Sequence, residues 1–268
     1  MRLVILAICL LDLAGCQTTS PRDTLGGPIL LIPDVGQGHG AALVEGDRAV
    51  LIDVGPADQD AMDVALRAQG VREIELVVLT HPDIDHVGGL DSLTLPMRGI
   101  LRGAMSREDS GRVLSRCPIY PNGCRRALPL QEIHVLADLM LRILGPSDTS
   151  VAAVTNANSL VVEFRRDGRC LFVASGDLDT LGELALLDRL EPTEVVQLGH
   201  HGSRSSSHLR WLGAMMPRYV VVQAGLDNSY GHPAAEALAR AEAVGAKILL
   251  PVGNCLRVAF LPRAVVLD

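Results

Sequence analysis

The chain has 268 residues, 48% of them hydrophobic and only 3% aromatic, enough apolar material for a core and far from a disordered composition. Its net charge of −7 argues against a general coat for nucleic acid and leaves only local basic patches to consider. Arginine supplies nearly all the positive charge, because Lys247 is the sole lysine.

The first sixteen residues, "MRLVILAICLLDLAGC", read as a signal segment and not as part of the fold. One basic residue, Arg2, precedes an apolar run from Leu3 to Leu11 that is too short to span a bilayer as a mature helix. The run ends in Leu13-Ala14-Gly15-Cys16, which resembles a bacterial lipobox, where Cys16 becomes the lipid-modified first residue. An ordinary cleaved signal or a core helix is the plainer alternative. The small residues before the cysteine and the polar linker over 17–27 favour lipidation. Gln17 after the cysteine then points to an exported lipoprotein on the periplasmic side of the outer membrane, if the host has one. No later stretch is long and apolar enough to cross a membrane.

From residue 28 onward strands alternate with helices. "ILLIPDVG", "AALVEG" and "RAVLIDVG" read as three strands, "DQDAMDVALRAQG" as a helix ending at Gly70, and "IELVVLT" as a buried strand. "GILRG", "EIHVLA" and "LMLRILGP" follow as short strands, then a hairpin turning at Asp167-Gly168. A helix near 178–190, the strand "EVVQLG", a helix near 206–216, the strand "RYVVVQAG", the helix "PAAEALARAEAVG", the strand "KILLP" and a last hairpin close the chain. Nothing reads as a linker after residue 27, so 28–268 forms one α/β domain with mixed strands. Cys117 and Cys124 flank the turn-rich "PIYPNG" and suit a local disulfide in an oxidising compartment. Cys170 and Cys255 fall in strand-like runs and read as buried thiols.

Polar residues collect where strands end. Asp53 ends one strand, and "THPDIDHVGGL" places His81, Asp83, Asp85 and His86 directly after another. Asn156 and Asn158 precede a third, while Asp177, the pair His200 and His201, and "NSYGHP" with His232 follow three more. In open α/β sheets ligands bind outside the carboxyl ends of strands, and packing alone does not explain six such ends. His134 and His208, on a strand and a helix, read as structural.

These motifs in this order, "DVGQG" (34–38), "LIDVG" (51–55), "THPDIDHVGGL" (80–90), "NANSLV" (156–161), "SGD" (175–177), "LGHHGSRSSS" (198–207) and "YGHP" (230–233), resemble the metallo-β-lactamase superfamily. The resemblance is strongest to the hydrolase domain of ComEC-type competence proteins and covers about 34–260. It implies a four-layer αβ/βα sandwich with a two-metal site at the edge between its sheets. It also implies that His81 and Asp83 serve one ion, that Asp85 and His86 serve a second, and that Asp177 bridges both. His201 is then the favoured ligand of the adjacent histidines and His200 a substrate or second-sphere group, with the reverse order left open. Asp53 braces the ligand loop, and Gly88 and Gly89 let backbone pass close to the site.

Two departures from the superfamily pattern stand out. Asp83 replaces a usual histidine and "NANS" replaces another, which leaves Asn156 or Asn158 as a candidate ligand or substrate contact. Such oxygen-rich coordination moves preference from Zn²⁺ toward Mn²⁺ or Mg²⁺. His39 stands after "GQG" where an acidic residue is common, with a surface role and a substrate contact equally open.

A two-ion site implies hydrolysis by a metal-bound hydroxide, with His232, His200 and Asp85 as candidate catalytic groups. The leading expectation is a phosphodiesterase or nuclease. Alternatives are another metallohydrolase (a phosphorylcholine-type esterase or a lactamase) or a lipoprotein binding module with a decayed site. Ser203 and Arg204 are candidate donors to an anionic substrate. Seven arginines between Arg98 and Arg126, Arg125 and Arg126 among them, face only Glu108 and Asp109, which is either a solvated insertion or a basic flap for a phosphate backbone.

Overall fold

A computed structural model of the chain describes residues 27–105, 111, 113, 115, 123–146, 156–262 and 264–267. The signal segment, Cys16 and nearly all of the linker lie outside the described residues. Arg107, Arg112, Arg116 and Cys117 do too.

Among the described residues two sheets face each other. The first runs β15-β14-β1-β2-β3-β4-β5-β6, from β1 (Ile29–Pro33), β2 (Gly40–Glu45), β3 (Arg48–Val54), β4 (Glu73–Leu79), β5 (Ile100–Arg102), β6 (Cys124–Arg126), β14 (Cys255–Leu261) and β15 (Ala264–Leu267). The second runs β13-β12-β11-β10-β9-β8-β7, from β7 (Glu132–Leu136), β8 (Leu139–Gly145), β9 (Val161–Arg166), β10 (Arg169–Ala174), β11 (Thr193–Gln197), β12 (Tyr219–Val221) and β13 (Lys247–Leu249).

Side chains of a strand alternate between its faces, and both faces of these sheets are apolar. Leu30, Ile32 and Ile52 of the first sheet meet Phe164, Phe172 and Val195 of the second in a central core. Leu31, Leu51 and Val77 on the other face of the first sheet pack against Met62 and Leu66 of α1 (Ala61–Ala68). Outside the second sheet, Val173, Val196 and Val220 cover Trp211 and Leu212 of α4 (Leu209–Met215) and Ala237 and Ala241 of α5 (Ala235–Ala243). Each fully buried side chain of this size contributes about 1.5–3 kcal/mol. The layers therefore run helix, sheet, sheet, helix, which is the expected αβ/βα sandwich.

Some elements differ from the sequence reading. The ligand loop contains a helical turn, α2 (Ile84–Val87), continued by a 3₁₀ turn over Gly88–Ser92. The helix expected near 178–190 is only α3 (Thr180–Leu184) followed by a 3₁₀ turn, because Leu186 turns in to lie against Gly145. His208 is not within a helix; it caps α4, its Nδ1 accepting the Arg210 N–H at 3.1 Å. β6 was unforeseen, a three-residue edge strand parallel to β5. Cys124 is disulfide-bonded, with its expected partner Cys117 outside the described residues. Cys170 and Cys255 are free, and burial pushes the Cys170 thiol up to about 12. No helix among the described residues is long and apolar enough to cross a membrane.

Strands β3 and β4 of one sheet and β10, β11 and β12 of the other run parallel within their sheets, and the loops after them gather at one edge of the sandwich. The glycines after His86 permit close approach there: a Cβ on Gly89 would lie 2.2 Å from the Val54 carbonyl oxygen, and one on Gly88 2.2 Å from the Ala57 nitrogen. Gln223, just past β12, joins the two sheets at this edge. Its amide donates to the Pro33 and Gly40 carbonyls (both 2.9 Å) and accepts from Gln197 Nε2 at 2.8 Å, so a buried amide is satisfied on both sides.

The loop after β11 is clamped from beneath by Glu183 of α3. Its fully buried carboxylate accepts the Ser207 and His208 N–H groups at 2.5 and 2.8 Å, while Arg240 donates to the Ser206 and Ser207 carbonyls. Burial outweighs these donors and lifts the Glu183 carboxyl from 4.5 to about 7. Between those values the folded protein holds a proton that the unfolded chain has released, so this group's contribution to stability falls as pH rises through the window. Urea unfolding at pH 5 and pH 7.5 should show the wild type losing roughly 1–3 kcal/mol more than Glu183→Gln over that interval. Parallel pH profiles for the two proteins would show that Glu183 does not titrate there.

Candidate metal centre

Three imidazoles at the sandwich edge are held in one tautomer. His201 places Nδ1 3.0 Å from the Gln223 carbonyl, which only accepts, so Nδ1 carries the proton. His86 Nδ1 lies 2.7 Å from Asp53 Oδ2. The Thr80 hydroxyl donates to Asp53 Oδ2 at 2.7 Å and accepts from His81 Nδ1 at 3.0 Å. Asp53 Oδ1 also takes the Thr80 N–H at 2.8 Å, so this carboxylate braces the root of the ligand loop. All three Nε2 atoms are thereby left as lone pairs directed inward, an arrangement that outer hydrogen bonds impose on metal-binding histidines.

What those lone pairs face is another acceptor. Asp177, after β10, has Oδ1 3.2 Å from His86 Nε2 and 3.8 Å from His201 Nε2. Its Oδ2 lies 3.7 Å from His81 Nε2 and 3.5 Å from His200 Nε2. Asp85 Oδ2 is 3.2 Å from His201 Nε2, and Asp83 Oδ2 is 3.6 Å from His81 Nε2. Asp177 Oδ1 and the Nε2 atoms of His81, His86 and His201 are buried without a hydrogen-bond partner among the described residues. Acceptors set against acceptors in a buried site call for a cation between them. The donor set fits: Asp85, His86 and His201 offer ligand atoms within 4.8 Å of one another, and so do His39, His86 and Asp177.

The protein alone meets this demand with protons. Burial opposes charging His86, but Asp53 and Asp177 outweigh it and hold its pKa well above the usual histidine range. Burial likewise opposes ionising Asp177, and the imidazoles of His86, His81 and His201 overcome it to keep its pKa well below the carboxylate range. The neighbouring His81 imidazole lowers the Asp83 pKa. Asp85 is lowered as well, by His201 and His86 against the cost of burial.

An open cleft of about 380 Å³ leads to these groups, lined by Asp83, Asp85, Asn156, Asp177, His200, His201 and His232, with Gln37 and Tyr230 among its other walls. Asn158 ends the same 3₁₀ turn as Asn156. His200 and His232 both have pKa values lowered by burial and by neighbouring histidines. Ser203 is buried, its hydroxyl 3.0 Å from that of Ser205, while Arg204 is exposed and near enough to His232 to depress its pKa. Arg125 and Arg126 are exposed on β6, two strands from β4, and His134 is on β7 away from the cleft lining.

Several residues of the site carried no assigned role in the sequence reading. Asn228 holds His232 from both sides, donating to its carbonyl at 2.6 Å and accepting its N–H at 3.0 Å. Its place in "NSYGHP" was the available signal. Tyr230 stacks on the His232 ring with centroids 5.9 Å apart. His39 is neither on the surface nor on the cleft wall. It is 1% exposed, its ring 4.8 Å from that of His86 and 4.5 Å from that of His201.

Residues 33–95 match the metallo-β-lactamase superfamily. The chain is 32% identical over 221 residues to competence protein ComA of Neisseria gonorrhoeae, covering 81% of this chain and 30% of that protein. It is 25% identical over 240 residues to recombination protein 2 of Haemophilus influenzae, covering 85% and 28% respectively. The chain thus spans less than a third of the length of either relative. Among solved structures, the metallo-β-lactamase fold protein YhfI of Bacillus subtilis superposes with a TM-score of 0.57 at 11% identity, over 86% of this chain and 99% of that one. That likeness is one of fold. The ordered motifs, the family match and the fold make the chain a member of the metallo-β-lactamase superfamily, and its competence relatives are consistent with a ComEC-like one.

Proposed function

We propose that the chain is a metal-dependent phosphodiesterase or nuclease, exported and held at a membrane by lipid on Cys16. The observation that carries the hydrolase reading is the division of Asp177, with Oδ2 toward His81 and His200 and Oδ1 toward His86 and His201. A carboxylate so divided suits two divalent ions, the first held by His81, Asp83 and Asp177 and the second by Asp85, His86, His201 and Asp177. The chemistry two such ions supply is activation of water as a nucleophile and neutralisation of charge building on phosphoryl oxygens. Oxygen donors dominate the first set and favour Mn²⁺ or Mg²⁺ there, while the second set suits Zn²⁺.

The protein's own side chains then bind and orient the substrate. Burial and the neighbouring His200 lower the His232 pKa, which favours contact with a phosphoryl oxygen through a neutral ring N–H. Asn228 fixes the backbone on which that ring sits. His200 stands 28% exposed on the cleft wall, its ring 5.7 Å from that of His232, so the pair can contact two oxygens of one phosphate.

Arginines stand on the two strands next to β4. Arg102 is level with Leu79 across the parallel β4-β5 ladder, and Arg126 is level with Arg102 on β6. Strand spacing of about 4.8 Å puts the Arg126 backbone roughly 10 Å from β4, whose end begins the ligand loop. Arginine contacts to a phosphate backbone fall steeply with salt and carry little base preference.

Five outcomes test the reading. Metal-loaded protein should cleave DNA or a similar phosphodiester without sequence preference, with Mn²⁺ activating and salt suppressing the reaction. Replacing Arg125 and Arg126 by Ala should raise KM more than it lowers kcat, because those groups would bind ground and transition states alike. A panel of phosphodiester, phosphorylcholine and β-lactam substrates in which only the latter two react would move the chain to another hydrolase class. Asp177→Asn should cost more activity and more bound metal than Asp83→Asn, since one carboxylate serves both ions and the other serves one; equal small losses would remove Asp177 as the bridge. For the anchor, wild-type protein should partition into detergent and Cys16→Ser should not, the several acyl chains of a lipoprotein sufficing for stable attachment.

A further inference from the structure

We infer that His39 is a third imidazole ligand of the second ion, which makes that position nitrogen-rich and selects a Zn²⁺-like metal there. The inference rests on the two-ion reading above. His39 is 1% exposed, and both of its ring nitrogens are buried without a hydrogen-bond partner among the described residues. Leaving a buried polar group uncompensated is unfavourable, so a histidine in a purely packing role would be expected to find a partner or to be replaced by an apolar residue.

The ring's surroundings identify its partner. One of its nitrogens lies with ligand atoms of His86 and Asp177 inside a cluster 4.8 Å across, and the ring packs 4.5 Å from His201. Its backbone is tied to the same assembly. The His39 N–H donates to the Asp85 carbonyl at 3.0 Å, and its own carbonyl accepts the Gly55 N–H at 2.7 Å. His39 is therefore held against the second donor set by the chain segment that carries Asp85 itself. Counting His39, that set has three imidazoles and two carboxylates, whereas the first has His81 with Asp83 and Asp177. Nitrogen-rich sites prefer Zn²⁺ or Co²⁺ and oxygen-rich ones Mn²⁺ or Mg²⁺, so the two positions should load differently.

The test uses purified full-length protein and metal binding, not turnover. With one equivalent of Zn²⁺, X-ray absorption should show three imidazoles per zinc. A His39→Leu variant, similar in size but without nitrogen, should bind that first equivalent at least about 10-fold more weakly in chelator competition, a loss that even outer-sphere changes can reach. Its apo form should melt no lower than wild-type apo protein, because the orphan nitrogens are gone. Two imidazoles per zinc, or unchanged affinity in a folded His39→Leu protein, would overturn the assignment; if that variant does not fold, the wild-type spectrum decides alone. Zinc bound with three imidazoles but no phosphodiester cleavage would sink the proposed substrate and leave this inference standing. Failure to bind zinc at all would sink both.

Discussion

The rest of the centre depends on one unfavourable contact. The Asp177 carboxylate, 4% exposed, faces Nε2 atoms whose tautomers are set by Gln223, Asp53 and Thr80 on the far side of each ring. Acceptor against acceptor in a poorly solvated place is repulsive unless positive charge lies between. The fold holds this arrangement together instead of relaxing it. Asp53, His200 and His201 all keep left-handed backbone, at φ of 53°, 50° and 54°, a conformation that costs a non-glycine residue roughly 1 kcal/mol or more. Such strain persists only where surrounding hydrogen bonds over-determine it. Here the Gly176 carbonyl takes the His200 N–H at 3.0 Å, and the Glu183 clamp secures the loop beyond.

The location of the centre follows from the sandwich. Ligand candidates come from the loop after β4 and the turn before β2 in one sheet, and from the loops after β10 and β11 in the other, so the full set needs both sheets. Only when the central core of Phe164, Phe172 and Ile52 closes do the two groups of loops meet, and Gln223 marks that meeting by bonding across it. Ion binding is therefore coupled to folding. Were two divalent ions held there as proposed, the charges would match: Asp53, Asp83, Asp85 and Asp177 carry four negative charges when ionised.

Local pattern made much of this legible in the sequence, and contact across the fold accounts for most of what was not. Alternating apolar residues announced most strands, and the run from His81 to His86 after "VVLT" announced the ligand loop. Gln223 looked like one polar residue in a buried strand; its partners Pro33 and Gly40 are 190 and 183 positions away, beyond any local period. Glu183 looked like an ordinary helical glutamate for the same reason. His39 was conspicuous as a departure from its motif, yet its burial depends on His86 and His201 arriving from two other loops. β6 has too few residues for alternation to register and owes its strand conformation to the neighbouring β5.

The two donor sets also differ in how much water they keep, and this separates their roles. In the first set the Asp83 side chain is 54% exposed while His81 is 1%, so Asp83 alone of that set keeps substantial contact with solvent. His86 and His201 are at most 3% exposed, and His39 is buried beside them. Desolvation has therefore already been spent on the second set by the folding of the chain, and the return comes only when its acceptors meet a cation. The first set differs in that its Asp83 ligand stays hydrated, so an ion there would compete with water at that one position. Under the two-ion reading proposed above, the inner position would suit a tightly held ion and the outer one an ion that exchanges a ligand at the mouth of the cleft.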